Sequence, residues 1–236
     1  MMIPLSNLAI AAIPTIVIIF ILFKWSLDYK NAIYAVFRML VQLFLVGYVL
    51  AYIFKAEISL IILAVLLVML LSSSWISLRG IKENKKQMFI KAFIAIIIGG
   101  GSTLLLVTQG TLAIDPWFLP SKMIPLAGMI FSNSLNSISL AMDRLSSEME
   151  HGKDFCVAKP IALKTSLIPI TNSLFAVGIV SIPGMMTGQI LSGVTPLIAA
   201  RYQIMVMLMI FGSAGISSAL FLTLIKSDCE KKSVKE

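Results

Sequence analysis

Between Asn7 and Ile225 the chain is a succession of apolar runs, most of them about as long as a bilayer's hydrocarbon core is thick, separated by short polar stretches. Lipid offers no hydrogen-bond partners, so a backbone crossing it must satisfy itself within each segment. For runs of this length that leaves the α-helix. Composition agrees: of 236 residues, 58% are hydrophobic and 13% charged, with a mean hydropathy of +0.97, too little polar surface to clothe a soluble domain. The expected fold class is all-α, a polytopic integral membrane protein of about seven transmembrane helices with no sizeable soluble domain.

The spans are read as Asn7 to Phe23, Asn31 to Phe54, Ile58 to Leu78, Ala92 to Val107, Met123 to Arg144, Leu167 to Ile190 and Leu197 to Ile225. The net charge is +8, and lysine and arginine gather after alternate spans. Lys24 and Lys30 follow the first, and Arg79, Lys82, Lys85, Lys86 and Lys91 follow the third. Lys153, Lys159 and Lys164 follow the fifth, and the tail KSDCEKKSVKE follows the last. Positive charge marks the cytoplasmic side, so the N-terminus is expected outside and the C-terminus inside. Residues 1–225 then form a single membrane domain and 226–236 a polar cytoplasmic tail. The same pattern assigns the basic residues to topology and not to nucleic-acid binding. Leu145 to Ser166 reads as the longest polar insertion, on the cytoplasmic side. Cys156 and Cys229 both fall in cytoplasmic stretches, where thiols stay reduced. Lys24 comes after the first apolar run, the reverse of a cleavable signal, so that run is expected to be a retained helix.

The span from Met123 to Arg144 differs from the others. Helical spacing sets Ser132, Asn136, Ser139 and Asp143 in one row, with Asn133, Ser137 and Arg144 in the next. Such a face must meet protein or water. Pro125 and Gly128 precede it, and a second interrupted stretch, SIPGMMTGQIL from Ser181, holds Pro183, Gly184 and Gly188. Each interruption is either a gate beside a cavity or a kink packed by small residues, with Gly184 and Gly188 making a GxxxG contact; kink plus packing is the base case. Asn133 and Asn136 either line a path or bond neighbouring helices. Arg38 and Gln42 lie four apart on the second span; Arg38 is near enough to the cytoplasmic end to snorkel, and Gln42 sits deeper. Gly99, Gly100 and Gly101 mark a seam where another helix comes close. Met185 and Met186, with Met123, Met129, Met205, Met207 and Met209, offer soft thioethers, although methionine more often fills core gaps. Glu148, Glu150, His151, Asp154 and Cys156 crowd one stretch without the spacing of a metal site and read as a solvated loop, so no metal site is assigned.

No Walker A, HExxH or GxSxG pattern is present, and no pair of intramembrane acids offers a proton or sodium relay. Catalysis by this chain is not expected. Transport driven by ATP would need a nucleotide site on another polypeptide, and no cofactor is expected on this one.

Three segments carry a resemblance: VFRMLVQLFLVGYVLAYIF from Val36, MIPLAGMIFSNSLNSISLAMDRL from Met123, and VGIVSIPGMMTGQILSGVTPLIAARYQIMVM from Val177. Together they resemble the FetB-type family of iron-export ABC transporter permeases, whose plant relatives include a membrane subunit linked to aluminium tolerance. The resemblance implies a multi-pass permease subunit of the cytoplasmic (inner) membrane, pairing with a separate ABC ATPase that carries the ATP and exporting a metal ion, iron in bacteria. Two copies as a homodimer would enclose one pathway and dock two ATPase subunits. On this reading the path candidates are Arg38, Gln42, Asn133, Asn136, Ser139, Met185, Met186 and Gln189. Pro125, Gly128, Pro183, Gly184 and Gly188 are the flexible or gating candidates. Asp143, Arg144, Glu148, Lys153, Lys159 and Lys164 are the candidates for coupling to the ATPase. The chain departs from many relatives at Ser132, where they carry glycine, and in the stretch from Leu145 to Ser166, which is shorter and lacks a Leu-Gly-Ala turn. The alternatives are another cargo, such as a nucleotide sugar, or a membrane scaffold without transport of its own.

Overall fold

A computed structural model describes residues 5–53, 58–81 and 84–226. These are helical almost throughout and divide between two compact units, Met1–Ala56 and Glu57–Glu236. Lys82, Cys229 and the tail from Ser227 onward lie outside the described residues.

In the first unit α1 (Leu5–Ala11) and α2 (Ile13–Lys24) lead into α3 (Tyr29–Ile53). The α2–α3 turn is held by Asp28, whose carboxylate accepts from the Asn31 N–H at 3.1 Å and caps α3, and by an edge contact of the Phe23 and Tyr29 rings. No residue of α2 is buried, as suits a helix whose sides are apolar all round. Arg38 is half-buried on α3 and Gln42 is exposed one turn further on.

The second unit is built around one long helix. It contains α4 (Ser59–Ile76), α5 (Lys85–Ile96), α6 (Ser102–Leu105), α7 (Pro120–Glu150), α8 (Phe155–Ala176), α9 (Gly184–Leu191) and α10 (Pro196–Leu224). α5 and α6 form one rod with two π-helical segments, Ile97–Gly101 and Leu106–Thr111. α7 packs on α10, α8 and α4, so the segment with the polar face is the hub of this unit. Five stretches are long and apolar enough to cross a membrane: Asn7–Lys24, Tyr29–Val49, Ser59–Ile76, Lys85–Thr111 and Pro196–Leu224. α7 and α8 are long too, at 31 and 22 residues, but fall outside this apolar group.

Three sequence expectations need correction. The stretch from Leu145 to Ser166 is not an inserted loop: α7 runs on to Glu150 and α8 begins at Phe155. Its buried residues, Leu145, Glu148, Phe155, Ala158 and Ala162, recur at helical spacing, an amphipathic pattern that average hydropathy conceals. The expected span Leu167 to Ile190 is divided between α8 and α9, with a bend at 177–183 where Gly178 takes φ 82° and Val177 bridges Ser181. Pro125 does not interrupt α7, which passes through it. It stands in the second turn, where its missing N–H deprives only one carbonyl, that of Ser121, of its helical donor.

Candidate functional site

The serines of α7 divide between two faces. Inward, Ser134 and Ser137 are buried against α10. Ser134 Oγ donates to the Ser213 carbonyl (3.3 Å) and accepts from Ser217 Oγ (3.1 Å). Ser137 Oγ donates to Ser218 Oγ (3.0 Å), which donates to the Ala214 carbonyl (2.6 Å). Small side chains bring the two backbones close, and each hydroxyl keeps a partner, worth about 1 kcal/mol per bond. Gly99 enters the same seam: a Cβ there would stand 2.5 Å from Ser217 Oγ and 2.7 Å from its backbone nitrogen. A Cβ on Gly100 would stand 3.0 Å from Ile130 and 3.3 Å from Phe131, so the expected glycine seam is present.

The pairings also set helix directions. Ser134 with Ser213 and Ser217, then Ser137 with Ser218, make α10 parallel to α7. Ser139 Oγ donates to the Ser77 carbonyl (2.8 Å) and Gly128 faces Met69, so α4 is parallel as well. Lys159 Nζ donates to Thr223 Oγ1 (2.9 Å) and Leu167 lies against Gly215, so α8 runs the opposite way.

The other face of α7 is uncovered. Pro125, Ser132, Asn136 and Asp143 are exposed along one stripe, with Ser139 half-buried at its edge. Asn133 turns aside, its Nδ2 donating to the Met129 carbonyl of its own helix (2.8 Å). The predicted row therefore faces outward. The buried partners Ser134, Ser213, Ser217 and Ser218 were not among the predicted site residues; the signal for the three on α10 is the small-residue repeat GSAGISSA from Gly212.

At the far end of α7 the chain turns through Gly152 at φ 77°, with the Lys153 N–H reaching back to the Glu148 carbonyl (3.2 Å). The Glu148 side chain is buried and pairs with both Arg144 and Lys153, joining the two sides of the turn. The Lys153 hydrogen bond holds the Glu148 carboxyl below the usual carboxylate range; burial opposes this and the Arg144 charge assists it. Lys164 and Asp143 are exposed on the flanking helices.

Short α9 packs on α10 with a half-buried face made of Met185, Met186, Gln189 and Ile190. Its opposite face, with Gly184 and Gly188, has nothing within 4 Å of either glycine, so the expected GxxxG contact is not made among the described residues. Pro183 is the N-cap residue of this helix, in extended conformation. Two buried side-chain atoms of the described residues lack a hydrogen-bond partner, Gln189 Oε1 and Gln203 Oε1 of α10. An amide oxygen sealed from water without a donor costs about 1–3 kcal/mol. Met123, Met207 and Met209 are buried in the helix core, as gap-fillers would be.

A family model described as "Uncharacterised protein family (UPF0014)" matches residues 5–159 and 157–229. The chain is 35% identical to the "Probable iron export permease protein FetB" of Escherichia coli (strain K12), over 91% of this chain and 88% of that protein. A UPF0014 membrane protein of Synechocystis is 34% identical over 73% of each chain. "Protein ALUMINUM SENSITIVE 3" of Arabidopsis thaliana is 30% identical over 88% of this chain and 81% of its own length. No solved structure matches.

Proposed function

The chain belongs to the UPF0014 family of membrane proteins, and on that premise we propose that it is the permease subunit of an ABC transporter that exports iron or a similar metal ion. ATP hydrolysis takes place on a separate ATPase, and the pathway runs along the uncovered stripe of α7 in a homodimer within the cytoplasmic membrane. One observation carries this reading: a hub helix that presents Ser132, Asn136 and Asp143 outward among apolar neighbours. Hydrocarbon does not solvate such a row, so it borders water or a second polar surface. The parallel α10 supplies a depth scale. Ser132 stands level with the region of Ser213, about 15 Å along the helix from Thr223, and Asp143 stands near Thr223 itself. The stripe thus runs from mid-bilayer to the charged end of the unit.

At that end the α7–α8 hairpin, closed by Glu148, is the surface offered to the ATPase. Alternating access then consists of the helices rocking about the serine seam, driven by nucleotide binding and hydrolysis on the partner. The test is iron flux in proteoliposomes containing the chain with and without a partner ABC ATPase. ATP-dependent flux is expected only with both, and Asn133→Ala combined with Asn136→Ala should lower it at least tenfold while leaving the protein folded and assembled. Unchanged flux in that variant would remove the stripe from the path. Absence of ATP-driven metal flux in the complete system would overturn the transport reading.

A further inference from the structure

The junction of α4 and α5 gathers positive charge at one edge of the membrane. Arg79, Lys85, Lys86 and Lys91 stand between residues 79 and 91, and the single acid of that stretch, Glu83, is offset by Lys82; both lie outside the described residues. Topology explains why such charges gather on one side of a bilayer. It does not explain how they are arranged. Lys85 and Lys86 are exposed on the first turn of α5, beside a groove of about 450 Å³ lined by Asn84, Lys85, Lys86, Gln87 and Ile90. The groove thus has two ammonium groups and two amides at its rim and an isoleucine at its base.

Its depth follows from α4. That helix has 18 residues and is about 27 Å long, close to the hydrocarbon thickness, so its end at Ile76 marks where hydrocarbon gives way to headgroups. Trp75 is 62% exposed at this boundary, a place tryptophan favours, and its ring meets the edge of Phe89 at 6.1 Å. Lys85 and Lys86 lie one turn outward of Phe89, at headgroup level. α7 reaches further: Ser139 bonds Ser77 at the end of α4, and α7 continues to Glu150, about 16 Å beyond. The Glu148 turn therefore projects into water, where a soluble protein would meet it, while the groove stays among the lipids.

Below the groove the surface becomes apolar. Lys86, Ile90, Ile94 and Ile97 follow one another at helical spacing, with Ile90 and Ile97 exposed and Ile94 half-buried. A ligand that matches the whole row has an anionic head and a hydrocarbon tail. A soluble anion would use only its upper end.

We propose that the α4–α5 junction binds an anionic phospholipid. The Lys85 and Lys86 ammonium groups hold its phosphate, the Asn84 and Gln87 side chains border the headgroup, and an acyl chain lies along Ile90 and Ile97. This inference is independent of the transport reading and rests only on the chain being a membrane protein.

The test uses the full chain in a neutral detergent, with thermal unfolding followed as lipid is added. A ligand that binds only the folded chain raises its unfolding midpoint in a concentration-dependent way. Phosphatidylglycerol is expected to do so, while phosphatidylcholine and inorganic phosphate leave the midpoint unchanged. Lys85→Gln combined with Lys86→Gln should need at least tenfold more phosphatidylglycerol for the same shift, and Lys86→Gln alone repeats the test should the double variant fold poorly. Ile90→Asn, which keeps both lysines, should need at least threefold more. Lys24→Gln combined with Lys30→Gln, at the exposed basic turn of the first unit, should respond as the parent does. An unaltered phosphatidylglycerol response in the lysine variant or in Ile90→Asn overturns the site, as does an equal loss in the Lys24 and Lys30 control. An equal shift with phosphatidylcholine or with inorganic phosphate, or no shift with phosphatidylglycerol in the parent, also overturns it.

Discussion

Among the glycines of the second unit, Gly99 has the least room for a side chain. A Cβ on Gly99 would meet Ser217 at 2.5 Å from Oγ, 2.7 Å from N and 3.0 Å from Cα, and two of those atoms are backbone that cannot rotate away. Gly99→Ala should therefore destabilise the protein by about 1–3 kcal/mol, the usual cost of overpacking. Gly212→Ala, where nothing lies within 4 Å of the new methyl, should be neutral or gain up to about 1 kcal/mol from a stiffer helix. Thermal unfolding of the two variants in detergent checks the contrast, and equal midpoints would mean that the seam tolerates separation. The run Gly99 to Gly101 announces a close contact in the sequence. Its partner Ser217 is one small residue among several, and only packing identifies it.

On the scale of elements, the α7–α8 hairpin shows why a charged stretch can be misread. Residues 145–166 have the composition of a loop, but Arg144 and Glu148 are one helical turn apart, and buried side chains continue the core face of both helices. Glu148 makes the turn sensitive to pH in a defined direction. Its folded carboxyl titrates lower than an unfolded one, so its contribution is complete above the ordinary glutamate range, about 4.3, and is lost as the pH falls through the folded value. Protection of the amides in residues 145–158, measured relative to their intrinsic exchange rate at each pH, should accordingly fall on acidification below the ordinary glutamate range. In Glu148→Gln protection should already be reduced at neutral pH, with little further acid dependence. The same slow exchange in parent and variant at neutral pH would show that Lys153 and Arg144 do not depend on this carboxylate.

For the whole molecule the deciding question is what covers the outer stripe of α7. If it borders water, single cysteines at Ser132→Cys and Asn136→Cys, in a chain with Cys156 and Cys229 replaced by serine, should react with a charged thiol reagent in membranes at least tenfold faster than Leu208→Cys. Leu208 is an exposed apolar position on α10, suited to lipid. Uniformly slow labelling would place the stripe against another protein surface instead. The all-helical, multi-pass architecture was determined by the sequence, because apolar runs of this length have no other way to satisfy their backbone in lipid. So was the special standing of the segment from Met123 to Arg144, whose polar rows are incompatible with a lipid-facing helix. Tertiary structure decided which serines of that helix are buried: Ser134, which belongs to neither row, and Ser137 turn inward because α10 offers serines at matching spacing, leaving Ser132 and Asn136 outside. It also decided the fate of Gln203, since whether a glutamine in an apolar helix finds a donor depends on the neighbouring helix, and helical period says nothing about that neighbour.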